Sequence, residues 1–361
     1  MSRDLSKKKR LARFAAGLLV VATAALLSGG CGSNDNNPDG TRGASTSGDP
    51  GAASKPLKIG MMPKLMGISF FDATGRGAKE AADELGVDLT YDGPTEDNVE
   101  QQAEMLNTWV AQGFDVIAVA PNDPDSIAPT LKDARDAGCI VLTWDTDANP
   151  EKSERQLFVN HTPNEGMADT LIAMMVAGAA DDDGKLRGKF VIVSGTTTAA
   201  NQNAWMALMI PRLKLDHPDC QLLETLYPTE NERKARTQTA DLLEAQPELK
   251  GIWAITSVAL PAAAKAVQDA GKSGDLCVTG LSMPSLMRDY VKNDTVKEFA
   301  LFNVDNLGYL TVHMAKILAH GDVRSGTIDV GRIKGVTIAG REVVMGQPLV
   351  FNKSNIDDYQ F

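Results

Sequence analysis

KIGMMPKLMGISFFDATGRGAKEAADELGVDLTY occupies Lys58–Tyr91. Lys58–Met62 is a short apolar run stopped by Pro63, the pattern of a buried strand. Gly75–Leu85 sets Ala78, Ala81, Ala82 and Leu85 on one helical face, and Val87–Tyr91 returns to an extended pattern. Strand, helix, strand is the unit that builds parallel sheets, because parallel neighbours need a crossover. The unit continues outward as helix Asn98–Gln112 ended by Gly113, strand Val116–Ala120, helix Ser126–Ala137 and strand Ile140–Trp144.

The pattern restarts after His161. Helix Glu165–Ala177 leads to strand Lys189–Ser194, helix Asn203–Lys214 and strand Leu222–Tyr227. Helix Arg233–Gln246, strand Ile252–Ile255, helix Leu260–Asp269 and strand Cys277–Leu281 follow. The sequence therefore predicts an α/β chain of two doubly wound, Rossmann-like lobes, each a parallel sheet covered on both faces. Ligands of such sheets sit beyond the carboxyl ends of the strands, so the residues just after each strand carry the functional question.

The N-terminus reads as an address. Arg3, Lys7, Lys8, Lys9, Arg10 and Arg13 precede the 13 apolar residues of Ala15–Leu27, and Ser28-Gly29-Gly30-Cys31 follows. Residues 1–30 are expected to be a signal peptide, too short in its apolar part to span a bilayer. Cys31, with Leu27 four residues ahead, resembles the lipidated cysteine of a bacterial lipobox. Residues 31–56 are rich in Gly, Ser, Asn, Asp, Thr and Pro, the composition of a flexible tether with a reach of roughly 25–30 Å.

The 361 residues carry 36 Lys+Arg and 47 Asp+Glu, a net charge of −11. Loss of residues 1–30 removes six basic groups and one acid, leaving 30 against 46, or −16. An acidic body of this kind excludes nucleic-acid binding. Four cysteines are too few for a disulfide scaffold. A strand order of two-one-three-four in the second lobe sets Cys220 and Cys277 three strand spacings apart, roughly 14 Å. That exceeds the disulfide reach of about 7 Å, so Cys139, Cys220 and Cys277 are expected to be free, buried thiols. Gly75-x-Gly77 is half of a dinucleotide fingerprint, but Glu80 stands where the third glycine belongs. Asp181-Asp182-Asp183-Gly184 lacks the spacing of a calcium loop, and His217, His313 and His320 lack metal spacing. With no nucleophile–base–orienter set either, the sequence predicts neither cofactor, metal nor enzymatic activity.

The strand ends carry a particular mixture. Pro63-Lys64-Leu65 and Phe70-Phe71 follow the first strand, and Trp144-Asp145-Thr146-Asp147 the fourth. Thr196–Trp205, holding Asn201-Gln202, opens the second set, followed by Thr256-Ser257 and Ser282-Met283-Pro284. Phe302-Asn303 lies where the chain crosses between lobes. Aromatic rings accept the C–H face of a sugar, while carboxylate, ammonium and amides meet its hydroxyls. Trp144 and Trp205 read equally well as packing residues, and His161, at the first crossover, as structural.

IGMMPKLMGISFFDA, ELGVDLTYDGPTEDNVEQQ, VLTWDTD, ALPAAA, GLSMPSLMRDYV, TVKEFALFNV and the terminal VFNKSNIDDYQF resemble the type I periplasmic-binding-protein family in its sugar-binding branch, over essentially all of Leu57–Phe361. Within that branch they are similar to autoinducer-2 receptors and rhamnose-binding proteins. The resemblance implies ligand contacts from Lys64 of PKL and Asp145 after TW. It also implies contacts from Asn201-Gln202, where the autoinducer receptor has Asp-Gln, and from Ile255 and Ser257, where it has Pro and Ala. Ribose-binding relatives add Phe70, Phe71 and Asn303. With Ser282, the candidate ligand set is Lys64, Phe70, Phe71, Asp145, Asn201, Gln202, Ser257, Ser282 and Asn303.

The resemblance further implies the periplasmic binding protein type I fold, its lobes joined by a multi-strand hinge. Lobe one is expected over 57–160 plus about 304–331, and lobe two over 161–303 plus about 332–361. The expected function is an extracytoplasmic lipoprotein of an ABC importer, a monomer that closes on a monosaccharide or related polyol and delivers it to a membrane permease. Its membrane contact is expected through the lipid alone. Autoinducer-2 is the alternative ligand. Repressors of the same fold begin with a basic helix-turn-helix, where this chain has an export-type segment.

Overall fold

The computed structural model describes residues 55–361; the expected signal peptide, Cys31 and the tether through residue 54 lie outside the described residues. The first part of the chain runs β1 (Lys58–Met62), α1 (Ser69–Leu85), β2 (Asp88–Tyr91), α2 (Val99–Ala111), β3 (Val116–Val119), α3 (Ala128–Asp136), β4 (Ile140–Trp144), α4 (Pro150–Ser153) and β5 (Leu157–Asn160). The second runs α5 (Asn164–Ala179), β6 (Gly188–Val193), α6 (Ala200–Asp216), β7 (Cys220–Leu222), α7 (Glu232–Ala245), β8 (Leu249–Ala254), α8 (Ala259–Asp269), β9 (Cys277–Gly280), α9 (Pro284–Lys292) and β10 (Glu298–Leu301). The chain ends with α10 (Val304–Ala319), β11 (Gly326–Val330), β12 (Ile333–Ala339), β13 (Glu342–Val344) and β14 (Leu349–Asn352).

Two main sheets result. The first has eight strands in the order β11-β12-β13-β5-β4-β3-β1-β2, and the second has four in the order β7-β6-β8-β9. β1 through β5 pair in parallel, and so do β6 through β9. Burial of β3 and β4 on both faces explains their continuous apolar runs. The second sheet has the order expected from sequence, which leaves Cys220 on β7 and Cys277 on β9 with two strands between them. Both are free, as is Cys139. Only Cys139 is fully buried; Cys220 and Cys277, each the first residue of its strand, are partly exposed.

The C-terminal boundary differs from expectation. The resemblance implies that residues 332–361 belong to lobe two, yet β12 pairs with β11 and β13 pairs with β5, all in the first sheet. The physical reason is a hairpin: Val330 faces Ile333 across Gly331-Arg332, so β12 cannot leave the sheet that holds β11. Only β14 joins the other side, antiparallel to β10. The chain thus crosses between the sheets three times, after β5, after β10 and after β13.

Helix α10 returns to cover the first sheet by crossing α1. The crossing is tight at two glycines: a Cβ on Gly77 would overlap the Asp305 carbonyl oxygen, and one on Gly308 the Thr74 carbonyl oxygen. Gly77 of the GRG sequence therefore serves helix packing rather than phosphate binding. Arg187 takes up the Asp181–Asp183 turn, reaching Asp181 at 2.8 Å and Asp183 at 2.7 Å. No described helix is long and apolar enough to cross a membrane.

Candidate functional site

The carboxyl ends of the two parallel sheets face a shared cavity of about 440 Å³, including its open mouth. Its lining draws Lys64, Phe70, Phe71 and Asp145 from the first lobe, and Asn201, Gln202, Trp205, Glu230, Thr256 and Ser257 from the second. His161 and Phe302, at the first two crossovers, close its inner wall.

Lys64 is carried on the loop after β1, and a buried amide network shapes that loop. Gln102 donates to the Pro63 and Ala120 carbonyls at 3.2 and 2.9 Å, and Asn122 donates to the Lys64 carbonyl at 3.0 Å. The Lys64 ammonium lies near the Asn201 side-chain oxygen of the other lobe, at 3.5 Å. A second contact crosses the cleft where the Thr198 hydroxyl donates to the Asn122 carbonyl at 3.0 Å.

Asp145 follows β4 with φ of 60°, in the left-handed region that a non-glycine residue enters only under constraint. Its backbone N–H donates to Val159, while Thr146 donates its hydroxyl to the Pro121 carbonyl at 2.9 Å. That twist turns the Asp145 carboxylate toward the cavity. Asp147 of the same WDTD stretch is used otherwise: it accepts from Thr143 at 2.5 Å and pairs with Arg155. Burial raises the Asp145 pKa above the ordinary carboxylate range, with Lys64 opposing the shift.

Phe70 and Phe71 lie in the first turn of α1, which begins at Ser69 rather than at Gly75. Helical geometry points them to neighbouring directions, and both reach the cavity. Phe70 packs edge-on against Phe302 at 5.9 Å, and Phe71 against Trp144 at the same separation. Phe302 stacks flat on His161 at 3.9 Å. His161 is 1% exposed, and neither ring nitrogen has a hydrogen-bond partner. Burial and the nearby Lys64 charge hold its pKa down at about 3, so the ring is neutral.

In the second lobe, Gln202 accepts from Ser194 and from the Gly195 N–H at 2.7 and 2.8 Å. Its oxygen is taken, so its NH₂ is what it offers the cavity. Seven of the nine candidates thus line the cavity: Lys64, Phe70, Phe71, Asp145, Asn201, Gln202 and Ser257. Two do not. Ser282 is fully buried and donates to the Ser257 carbonyl at 2.8 Å, fixing the loop rather than meeting the cavity. Asn303 caps α10, accepting from the Asn306 N–H at 2.9 Å. Sequence reasoning missed Glu230 as a lining residue; it named Thr256 and Phe302 at the strand ends without adding them to the candidate set, left Trp205 open between cleft and packing, and read His161 as structural. Glu230 follows the short β7 by eight residues, so only its position beyond a strand end could have flagged it. Among the described residues no cluster of His, Cys, Asp or Glu is arranged to hold a metal ion.

Comparison with solved structures places the whole arrangement. A sugar ABC transporter protein from Actinomyces odontolyticus is 33% identical, with a TM-score of 0.66, over 84% of this chain and 97% of that one. A Clostridium solute-binding protein with bound L-rhamnose is 28% identical, with a TM-score of 0.77, over 85% and 98%. LsrB from Clostridium saccharobutylicum, in complex with AI-2, shares the fold at a TM-score of 0.79 and 24% identity, over 84% and 99%. The family model described as periplasmic binding protein domain matches residues 59–322. The chain therefore belongs to the periplasmic binding protein domain family, whose members bind solutes rather than transform them.

Proposed function

We propose that the chain is the extracytoplasmic solute-binding lipoprotein of an ABC importer, and that it binds a monosaccharide or a closely related polyol between its lobes. The observation that carries this reading is the composition of the cavity. Phenylalanines offer flat apolar surface for a ring's C–H face, and Lys64, Asp145, Asn201 and Gln202 converge from both lobes with donors and acceptors for hydroxyls. A ligand that touches both sets stabilises the closed state by its extra affinity for it, and hinge motion at the three crossovers does the rest. The L-rhamnose complex of a 28% identical relative supports the ligand class. Lipidation of Cys31 would tether the acidic body near the membrane, where the closed form, acting as a monomer, meets a permease.

A second reading, an autoinducer-2 receptor, is favoured by the Lys64–Asp145 pair and Gln202 at matching positions. It is weakened at Asn201, Ile255 and Ser257, where the receptor's residue types differ. A thermal-shift screen of the purified chain against pentoses, hexoses, deoxysugars, polyols and autoinducer-2 separates the two. A ligand at 100-fold its Kd adds about 2.7 kcal/mol of stability. No shift with any carbohydrate sinks the sugar reading.

A further inference from the structure

The charges around the cavity do not balance. The lining holds two carboxylates, Asp145 and Glu230, and one cation, Lys64, since His161 is neutral. Lys64 is committed to Asp145 at 3.7 Å. Glu230 must share that single cation, which together with Thr256 opposes the upward shift of its pKa, while its Oε2 is buried with no hydrogen-bond partner. It comes from the second lobe, and its pKa is raised mainly by burial, with the carboxylates of Asp97 and Asp145 on the first adding to the shift. Two carboxylates and one cation thus face each other across the cleft. The same wall presents further unpartnered groups at His161, 1% exposed, and Trp205, 2% exposed, so the polar side of the cavity awaits a ligand. A buried carboxylate is costly unless it is protonated or meets a cation.

Resting on the sugar-binding reading above, we propose that the ligand carries an ammonium group, as an amino sugar or aminocyclitol does, and that Glu230 is the residue that selects it. A neutral sugar in this cavity leaves the second carboxylate unanswered, and the empty cavity favours protonating it, which fits the raised pKa of Glu230. An ammonium would donate to the free Oε2 and offset the repulsion across the cleft, so it rewards closure where a hydroxyl does not.

The test is paired calorimetric titration of the purified chain with D-glucosamine, D-galactosamine and D-mannosamine, each beside its parent hexose, and with an aminocyclitol beside its inositol. At least one amino compound should bind ten times more tightly than its parent or better. In Glu230→Gln, shown folded by circular dichroism, that ratio should fall to about one. Parents that bind as tightly as all their amino partners overturn the proposal, as does an unchanged ratio in Glu230→Gln. Failure of every compound of both kinds instead removes the sugar-binding reading, and this inference with it.

Discussion

The Lys64 ammonium stands 3.7 Å from the Asp145 carboxylate, the two side chains only 8% and 5% exposed. Each supplies the countercharge the other needs out of water. Lys64→Met strands a buried carboxylate, a change that costs about 3 kcal/mol in comparable pairs. The double variant Lys64→Met/Asp145→Asn should recover most of that loss in urea denaturation. If the double variant is no more stable than Lys64→Met, the pair is not coupled.

Asp145 also belongs to the proposed ligand site. Asp145→Ala should abolish binding of whichever compound gives the largest thermal shift, while circular dichroism of the unliganded protein stays unchanged. Binding that survives within tenfold, about 1.4 kcal/mol, would take Asp145 out of the site.

His161 makes stability depend on pH with a defined sign. Its folded pKa lies below the unfolded 6.5, at about 3. The neutral ring's contribution is present above pH 6.5 and is lost as pH falls toward 3. Asp145 and Glu230 run the other way. Their folded values are raised, so their contribution is present below the ordinary 3.8 and 4.5 and is lost as pH rises through the raised values. His161→Gln should therefore flatten the fall in unfolding free energy between pH 6 and pH 4 by about 1.4 kcal/mol per pH unit. An unchanged slope in denaturation series would show that the imidazole is free to charge in the folded state.

Gly308→Ala tests the helix crossing. In an unconstrained helix the change stabilises by about 1 kcal/mol. Here the new methyl meets the Thr74 carbonyl, backbone that cannot swing aside, and the expected result is a loss of about 3 kcal/mol. The sign alone decides the matter in a thermal melt.

Thr198→Val removes a hydroxyl that links the lobes through the Asn122 carbonyl. Ligand affinity should drop about fivefold, the worth of one modest hydrogen bond, with the melting temperature of the empty protein unmoved. A melting point that falls in step with affinity would place this contact in the fold rather than in closure.

Much of this molecule was readable in its sequence because buried parallel strands leave long apolar signals. The runs at Ile140–Trp144 and Cys277–Leu281 gave their strands within a residue. The helix start at Ser69 was hidden because Ile68 makes no side-chain cap and adjacent phenylalanines break a simple amphipathic pattern. Asn303 was legible in a different sense: an Asn directly before a helical run is a cap signal, and that competed with, and displaced, its expected place in the cleft. Glu230 sits in irregular chain after β7, where no periodicity points anywhere. Its importance comes from the charges around it, which only the folded arrangement assembles. Which sheet β12 would join is set only by its hairpin with β11, a pairing that no local pattern announces.

The pairing of α1 with α10 has a consequence for how the chain is made. Lys316 reaches back to the Leu85 carbonyl across 231 residues. By the time α10 is synthesised, β6 through β9 and helices α5 through α9 are already complete as one contiguous stretch. The lobe that starts first is thus completed only after most of the second: until α10 and the three strands after it arrive, α1 keeps an apolar face without its cover, and the first sheet lacks β11, β12 and β13. Contacts so distant along the chain form slowly, and the waiting half is the one next to the N-terminal segment. During synthesis, the half whose partner arrives late is the vulnerable one.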